Sequence, residues 1–346
     1  MEQKTIVNYD GSIKREILNK KTFSMKSFFL QWEWLLIFIL LMVLVINTII
    51  SPFFLTGASL RDGTMIFLDK AFMVFPMALV IILRDIDISV GSTVALSSVV
   101  MGVLFNNMGL SMELSMVVCL LVGALCGFIN GLLIVKFKEL SAVIVTLSTM
   151  ILYRGIAYII LENQAVGNFP EWFDFLGWGY AFGIPFILIL FIVLAVGFGL
   201  LLHKTTFGRQ IYAIGNNPVA SRYSGVKIDK IKMIVFTLTG LMAGITALFL
   251  SSRMGSTRPN VASGYELEVI AMVALGGIST AGGKGKMLGP VIAVFIIGYL
   301  QYGLGLINIS SQTLMIIIGL LLIFSVAVTR LDVKKYKTGK KKREAN

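Results

Sequence analysis

"HKTTFGRQIYAIGNNPVASRYSGVKIDKIK" (residues 203–232) is thirty residues long, polar and basic, with a turn signal, Asn-Asn-Pro, at its centre. On either side the chain is apolar, over residues 182–202 and 233–251. A transmembrane helix needs about 20 apolar residues. The stretch therefore reads as a hydrophilic insert between two membrane spans.

Outward from the insert, uncharged runs recur in both directions. Towards the N-terminus they fall at residues 34–52, 66–83, 88–112, 114–135 and 141–161. Asp69 and Lys70 sit near one end of the second run, and Arg154 interrupts the fifth. Towards the C-terminus a short run covers residues 267–283, and no charge appears over the 43 residues 287–329. That is too long for one span, and the polar "YGLGLINISSQ" (residues 302–312) divides it into a ninth and a tenth. No small-x-small cleavage pattern follows the first run, so it reads as an uncleaved span.

Composition agrees. Of 346 residues, 57% are hydrophobic and 14% charged, against roughly 25% charged in soluble domains, and the mean hydropathy is +0.88. Long solid apolar runs exclude a transmembrane barrel, whose strands are short and alternating. The expectation is an all-α integral membrane protein of about ten transmembrane helices, some short or broken.

The positive charge sets the orientation. Lys4, Lys14, Arg15, Lys20, Lys21 and Lys26 precede the first span, and eight Lys and Arg follow Thr329. Cytoplasmic segments carry the Lys/Arg excess, so both termini are expected in the cytoplasm. The expected organisation is a basic cytoplasmic segment at 1–31, a polytopic membrane domain at 32–329 and a basic cytoplasmic tail at 330–346. The insert, with six Lys and Arg, falls inside; residues 162–180, with three acids and no base, fall outside. Only Arg253 and Arg258 break the pattern. Topology accounts for the net charge of +12 without nucleic acid, and no nucleic-acid partner is expected.

Two segments are unlike plain spans: "RDIDISVGSTVALSS" (residues 84–98) and "ALGGISTAGGKGKMLGP" (residues 274–290). Non-helical backbone at membrane depth survives only when buried in protein or facing a water-filled cavity. Their glycines serve close packing alone, or packing beside a translocation path. The phosphate-binding pattern of Gly, four residues, then Gly-Lys-Ser/Thr is not met: counting back from Lys284 gives Ile278, and Gly285 stands where Ser/Thr belongs. Cys119 and Cys126 are seven apart on one helix, about 10 Å along its axis, too far for a disulfide. With one histidine, His203, no His/Cys metal cluster forms.

Within the insert, Asn217 suits a helix cap and Pro218 the first helical position. Gly225 suits the position just past the end. Between them lies a helix of about two turns, too short to stand alone in water. Val219, Ala220 and Tyr223 share a face at three-or-four spacing, which leaves Arg222 for an acidic partner. A basic loop lying on lipid head groups is the plainer reading.

Six segments, in order, carry a family resemblance: "IDISVGSTVALSS", "FINGLLIVKF", "TLSTMILYRGIA", "TTFGRQIYAIGNNPVASRYSGV", "SGYELEVIAMVALGGIS" and "GGKGKMLGPVIAVFIIGYLQYGLGL". The chain resembles the membrane permease subunit of bacterial ABC importers for simple sugars, the ribose, rhamnose and autoinducer-2 group. The similarity spans residues 85–328. It implies a second permease chain, a cytoplasmic ABC ATPase that binds ATP and Mg, an extracytoplasmic solute-binding protein, and a multi-pass location in the bacterial cytoplasmic membrane. It implies no catalytic residue, metal or cofactor in this chain. The insert resembles the loop that couples to the ATPase, with Asn217, Pro218, Val219, Ala220, Ser221, Arg222, Tyr223 and Gly225 as contact residues.

Polar side chains inside spans are candidates for the translocation path: Ser92, Thr93, Ser97, Asn130, Thr146, Ser148, Thr149, Tyr153, Arg154 and Gln301. Ser and Thr also bond back to their own helix, and Asn130 and Arg154 also suit helix-to-helix contacts. Arg253 and Arg258 are expected at the outer face as docking residues for the binding protein, or as partners of lipid and Glu266. The solute is expected to be a monosaccharide resembling ribose or rhamnose, with autoinducer-2 or a nucleoside as alternatives. An ion-coupled secondary transporter is the reading from another class, and would need intramembrane carboxylates; Asp69, Asp85, Asp87, Glu266 and Glu268 all fall near span ends.

Overall fold

The computed structural model describes residues 3–7, 13–17, 32–162, 164–310, 312–314, 316–317, 319–320 and 323. Most of the expected tenth span, the tail 330–346 and most of segment 1–31 lie outside the described residues. Within that last segment, β1 (Gln3–Val7) and β2 (Ile13–Ile17) pair antiparallel, a hairpin the all-α expectation did not include.

The rest is mostly helical. Among the described residues, six helices are long and apolar enough to cross a membrane: α1 (Trp32–Ile50), α5 (Met112–Lys136), α6 (Ala142–Leu161), α8 (Phe186–Lys204), α11 (Ile228–Met254) and α13 (Leu288–Leu306). A seventh is bent by 40° between α2 (Gly57–Ala71) and α3 (Val74–Ile82). Two shorter helices, α4 (Val90–Asn106) and α12 (Tyr265–Leu275), run in the same body, and a five-residue helix, α7 (Asp174–Trp178), lies in the connection between α6 and α8. Polar residues start several helices in the expected way: Thr56 accepts from Ser59 N–H, Ser111 from Leu114 N–H and Ser141 from Ile144 N–H.

Side-chain ties define two faces. On one, Lys286 before α13 meets Glu33 of α1 at 2.7 Å, Lys138 after α5 meets Asp229 of α11 at 3.0 Å, and Lys232 of α11 meets Asp85 after α3 at 2.6 Å. On the other, Asn106 at the end of α4 donates to Gly167 O at 2.7 Å, and β3 (Val166–Gly167) pairs with β4 (Ser256–Thr257) just past α11. Successive helices alternate between these faces. The first carries the insert, and the second carries residues 162–181.

The central crossing is α5 on α11. A Cβ on Gly127 would sit 2.2 Å from Phe236 O, and one on Gly240 would sit 2.1 Å from Gly123 O. Gly123, Gly127, Gly240 and Gly244 thus form two small-xxx-small pairs that let the backbones touch, the main source of helix affinity where lipid is as apolar as the side chains. Against this pair lie the short helices. All nine residues of α3 are buried. At 1.5 Å per residue, α3 and α12 are about 14 and 16 Å long, half a bilayer core. Their flanking non-helical backbone is tolerated because it is enclosed by protein.

Candidate functional site

The insert folds into two helices. α9 (Thr206–Asn216) starts on Thr205, whose hydroxyl accepts from Gly208 N–H. Phe207, Ile211 and Ile214 recur at helical spacing, and Ile211 and Ile214 are buried. α10 (Pro218–Tyr223) has the expected limits: Asn217 Oδ1 accepts from Ala220 N–H at 3.0 Å, Pro218 opens the helix, and Gly225 follows it with φ +81°.

The faces of α10 divide sharply. Ser221 is buried, and its hydroxyl donates to Asn217 O at 2.9 Å. Val219 is 66% exposed and Tyr223 90% exposed, and Ala220 is exposed beside them. The shared face therefore points away from this chain's own spans. Arg222 lies 3.9 Å from Asp229, with its side chain 63% exposed.

α9 joins the insert to both broken regions. Gly215 meets the end of α3 so closely that a Cβ there would lie 1.9 Å from Ile82 O. Arg84 donates to Asn216 O at 3.0 Å. Asn216 Nδ2 donates to Gly283 O at 3.1 Å, and Tyr212 O–H donates to Gly285 O at 2.6 Å, both in the glycine-rich turn after α12. Burial pushes the Tyr212 phenol up to about 12, so it stays a donor at physiological pH. Gly283 N–H donates to Ile82 O at 2.9 Å, which closes the triangle. The two irregular segments noted in the sequence are thus one assembly with the insert. Tyr212, Asn216 and Arg84 were not singled out there.

The path candidates fall into two sets. Asn130 Nδ2 donates to Ser89 Oγ at 2.7 Å, and Tyr153 O–H donates to Asn130 Oδ1 at 3.2 Å and to Cys126 O at 3.1 Å. Ser89 in turn donates to Asp87 Oδ1 at 2.7 Å. Ser92 bonds to Ser89 O, Thr146 to Ala142 O and Ile86 O, and Thr149 to Thr146 O. Thr93 and Ser97 are buried, and Ser97 Oγ has no partner among the described residues. Exposed Ser148 bonds back to Ile144 O. Within this set, the Ser89–Asn130–Tyr153 chain ties the start of α4 to α5 and α6. Gln301 stands apart, accepting from Lys70 Nζ at 2.8 Å in the half of the body away from the insert.

The three arginines also separate. Arg154 donates to Pro259 O at 2.6 Å and Val261 O at 2.7 Å, fixing the loop before α12. Arg253 reaches Asp69 Oδ2 at 2.8 Å and 3.1 Å from two of its nitrogens. Its charge is used inside the fold, by a partner 184 residues away and not by Glu266. Arg258 is exposed and pairs with no described acid.

Comparison with known proteins places this arrangement. Residues 60–326 match the family described as the branched-chain amino acid transport system / permease component. Similar curated proteins include the autoinducer 2 import system permease protein LsrD of Escherichia coli (strain K12), of Escherichia coli O157:H7 and of Shigella flexneri. Each is 33% identical over 316 residues, covering 88% of this chain and 95% of the relative. The family match runs through the insert, both broken regions and the α5–α11 crossing. The chain belongs to this family of permease components, and is the multi-pass inner-membrane permease of a bacterial ABC importer.

Proposed function

We propose that this permease carries an uncharged, sugar-like solute of autoinducer-2 or monosaccharide size, delivered by an extracytoplasmic binding protein. Ten spans with both termini cytoplasmic form one half of the pathway, and a second permease chain forms the other. ATP and Mg act in a separate ABC ATPase bound beneath the insert, and this chain is not itself an enzyme. The observation that carries the reading is the contact of α9 with the end of α3 at Ile82 and with the glycine-rich turn after α12. An apolar and aromatic face, Val219, Ala220 and Tyr223, is presented outward on α10, while α9 ties the end of α3 to that turn from behind. Motion of an ATPase against α10 is then transmitted to helices that reach across the body. Arg258, exposed on the outer face, is the docking residue for an acidic surface of the binding protein.

The sugar-like class rests on the quoted sequence motifs and on the import named for the LsrD relatives. The family description names branched-chain amino acids, so the test includes both. Vesicles holding the permease pair and ATPase, with binding protein outside, are offered labelled autoinducer-2, ribose, rhamnose and leucine. ATP-dependent uptake of a sugar-like solute is the expected result. Uptake of leucine alone overturns the substrate class, and uptake without ATP overturns the importer mechanism.

A further inference from the structure

At the outer end of the body, α2, α12 and α13 border a half-open cavity of about 550 Å³, where Lys70, Ser263, Glu268 and Gln301 stand among apolar walls that include Phe67 and Leu306. Small-molecule sites run from about 300 to 1,000 Å³, so a monosaccharide-sized solute fits. Lys70 is ion-paired with Glu268, at side-chain exposures of 9% and 18%. Gln301 lies thirteen residues above Leu288, about 20 Å along α13, and so stands at membrane depth. A charged pair and an amide at that depth face protein or water, not lipid.

The chemistry of the walls selects among solutes. Lys70 spends its charge on Glu268 and Gln301 Oε1, and neighbouring Asp69 and Arg253 neutralise each other. Among the described residues, no unpaired charge remains here to hold a carboxylate, a phosphate or an ammonium group. What remains is hydrogen-bonding capacity: the Gln301 amide nitrogen, which donates to no described residue, the second oxygen of Glu268, and the hydroxyl of Ser263, which itself donates to Asn260 O at 2.9 Å.

Resting on the importer reading above, we infer that this cavity is the outer solute station of the permease, where Gln301, Glu268 and Ser263 hydrogen-bond an uncharged polyhydroxylated solute on its way from the binding protein. Gln301 is the residue that touches solute; Lys70 positions its amide.

Two measurements test this. Gln301→Cys is treated from outside with a charged, membrane-impermeant thiol reagent; the native Cys119 and Cys126 are buried and give little background. Labelling is expected, whereas labelling only by a lipid-soluble reagent, or none in a chain that elutes as the parent does, overturns the station. Second, Gln301→Ala and the milder Gln301→Asn are assembled with ATPase and binding protein. The expected result is parental ATP hydrolysis stimulated by loaded binding protein, with uptake per ATP reduced about fivefold in Gln301→Ala, the equivalent of one lost hydrogen bond, and less in Gln301→Asn. Parental uptake per ATP in both variants overturns the inference and leaves the importer reading standing. Absence of stimulated hydrolysis in the parent overturns the importer reading, and this inference with it.

Discussion

Arg253 and Asp69 are joined by two hydrogen bonds, from Nε at 3.1 Å and Nη2 at 2.8 Å, both to Asp69 Oδ2. Asp69 is fully buried. The pair fastens the C-terminal end of α11 to the bend between α2 and α3, and gives an internal reason for a base that breaks the charge pattern of the loops. Removing one partner leaves a buried charge uncompensated, a loss of about 3–5 kcal/mol. Arg253→Ala is therefore expected to lower the thermal midpoint in detergent sharply, and Arg253→Ala with Asp69→Asn to recover part of it. Equal losses in the single and double variants would show that the pair does not hold this junction.

Arg258 makes the contrasting case. With Arg253 occupied, Arg258 is the free base of the loop after α11. Arg258→Glu is expected to raise the binding-protein concentration for half-maximal uptake about fivefold at low salt, the equivalent of a rim pair of about 1 kcal/mol, with less effect at high salt. ATPase assembly should be unchanged. A parental concentration dependence at low salt would remove Arg258 from the docking surface.

The α5–α11 crossing gives a packing prediction. Gly127→Leu or Gly240→Leu forces apart backbones that leave only 2.2 Å and 2.1 Å for a Cβ, and overpacking costs of 1–3 kcal/mol or more follow. Folded yield, read by monodisperse elution in detergent, should collapse for both. Gly197→Leu in α8, where nothing lies within 4 Å, should elute as the parent does.

How much of this was legible in the sequence varied with the range of the interaction. α10 was readable because its cap, opening proline and closing glycine are local: Asn217, Pro218 and Gly225 each act within a few residues. α9 is harder to read, although Phe207, Ile211 and Ile214 carry its period, because Gly208 and Gly215 beside them are weak helix formers. Gly215 is there for the close approach to Ile82. The span serines and threonines were picked out by type, but whether Thr146 bonds its own helix or a solute depends on the turn at Ile86. Lys70 and Asp69 were visible as charges near a span end; their partners, Glu268 and Arg253, are too far along the chain for any pattern to connect.

The junction between insert and broken helices should separate assembly from coupling. Asn216→Ala removes the bond to Gly283 O and Tyr212→Phe the bond to Gly285 O, each worth about 0.5–1.5 kcal/mol. Neither touches the exposed face of α10. Both variants are expected to bind the ATPase as the parent does and to hydrolyse ATP, with uptake per ATP lowered, and lowered further when the two are combined. Parental uptake per ATP in both would mean that α9 does not transmit motion to α3 and α12.

The most direct measurement is ATPase binding and ATP-driven uptake by Tyr223→Ala, alone and with Val219→Ala, in vesicles containing the complete importer. A buried tyrosine at the centre of an interface is commonly worth about 2 kcal/mol or more. The exposed face of α10 predicts ATPase binding weakened at least about thirtyfold, with uptake lost in proportion and the permease still folded. Binding and uptake indistinguishable from the parent would contradict the assignment of α10 as the coupling contact.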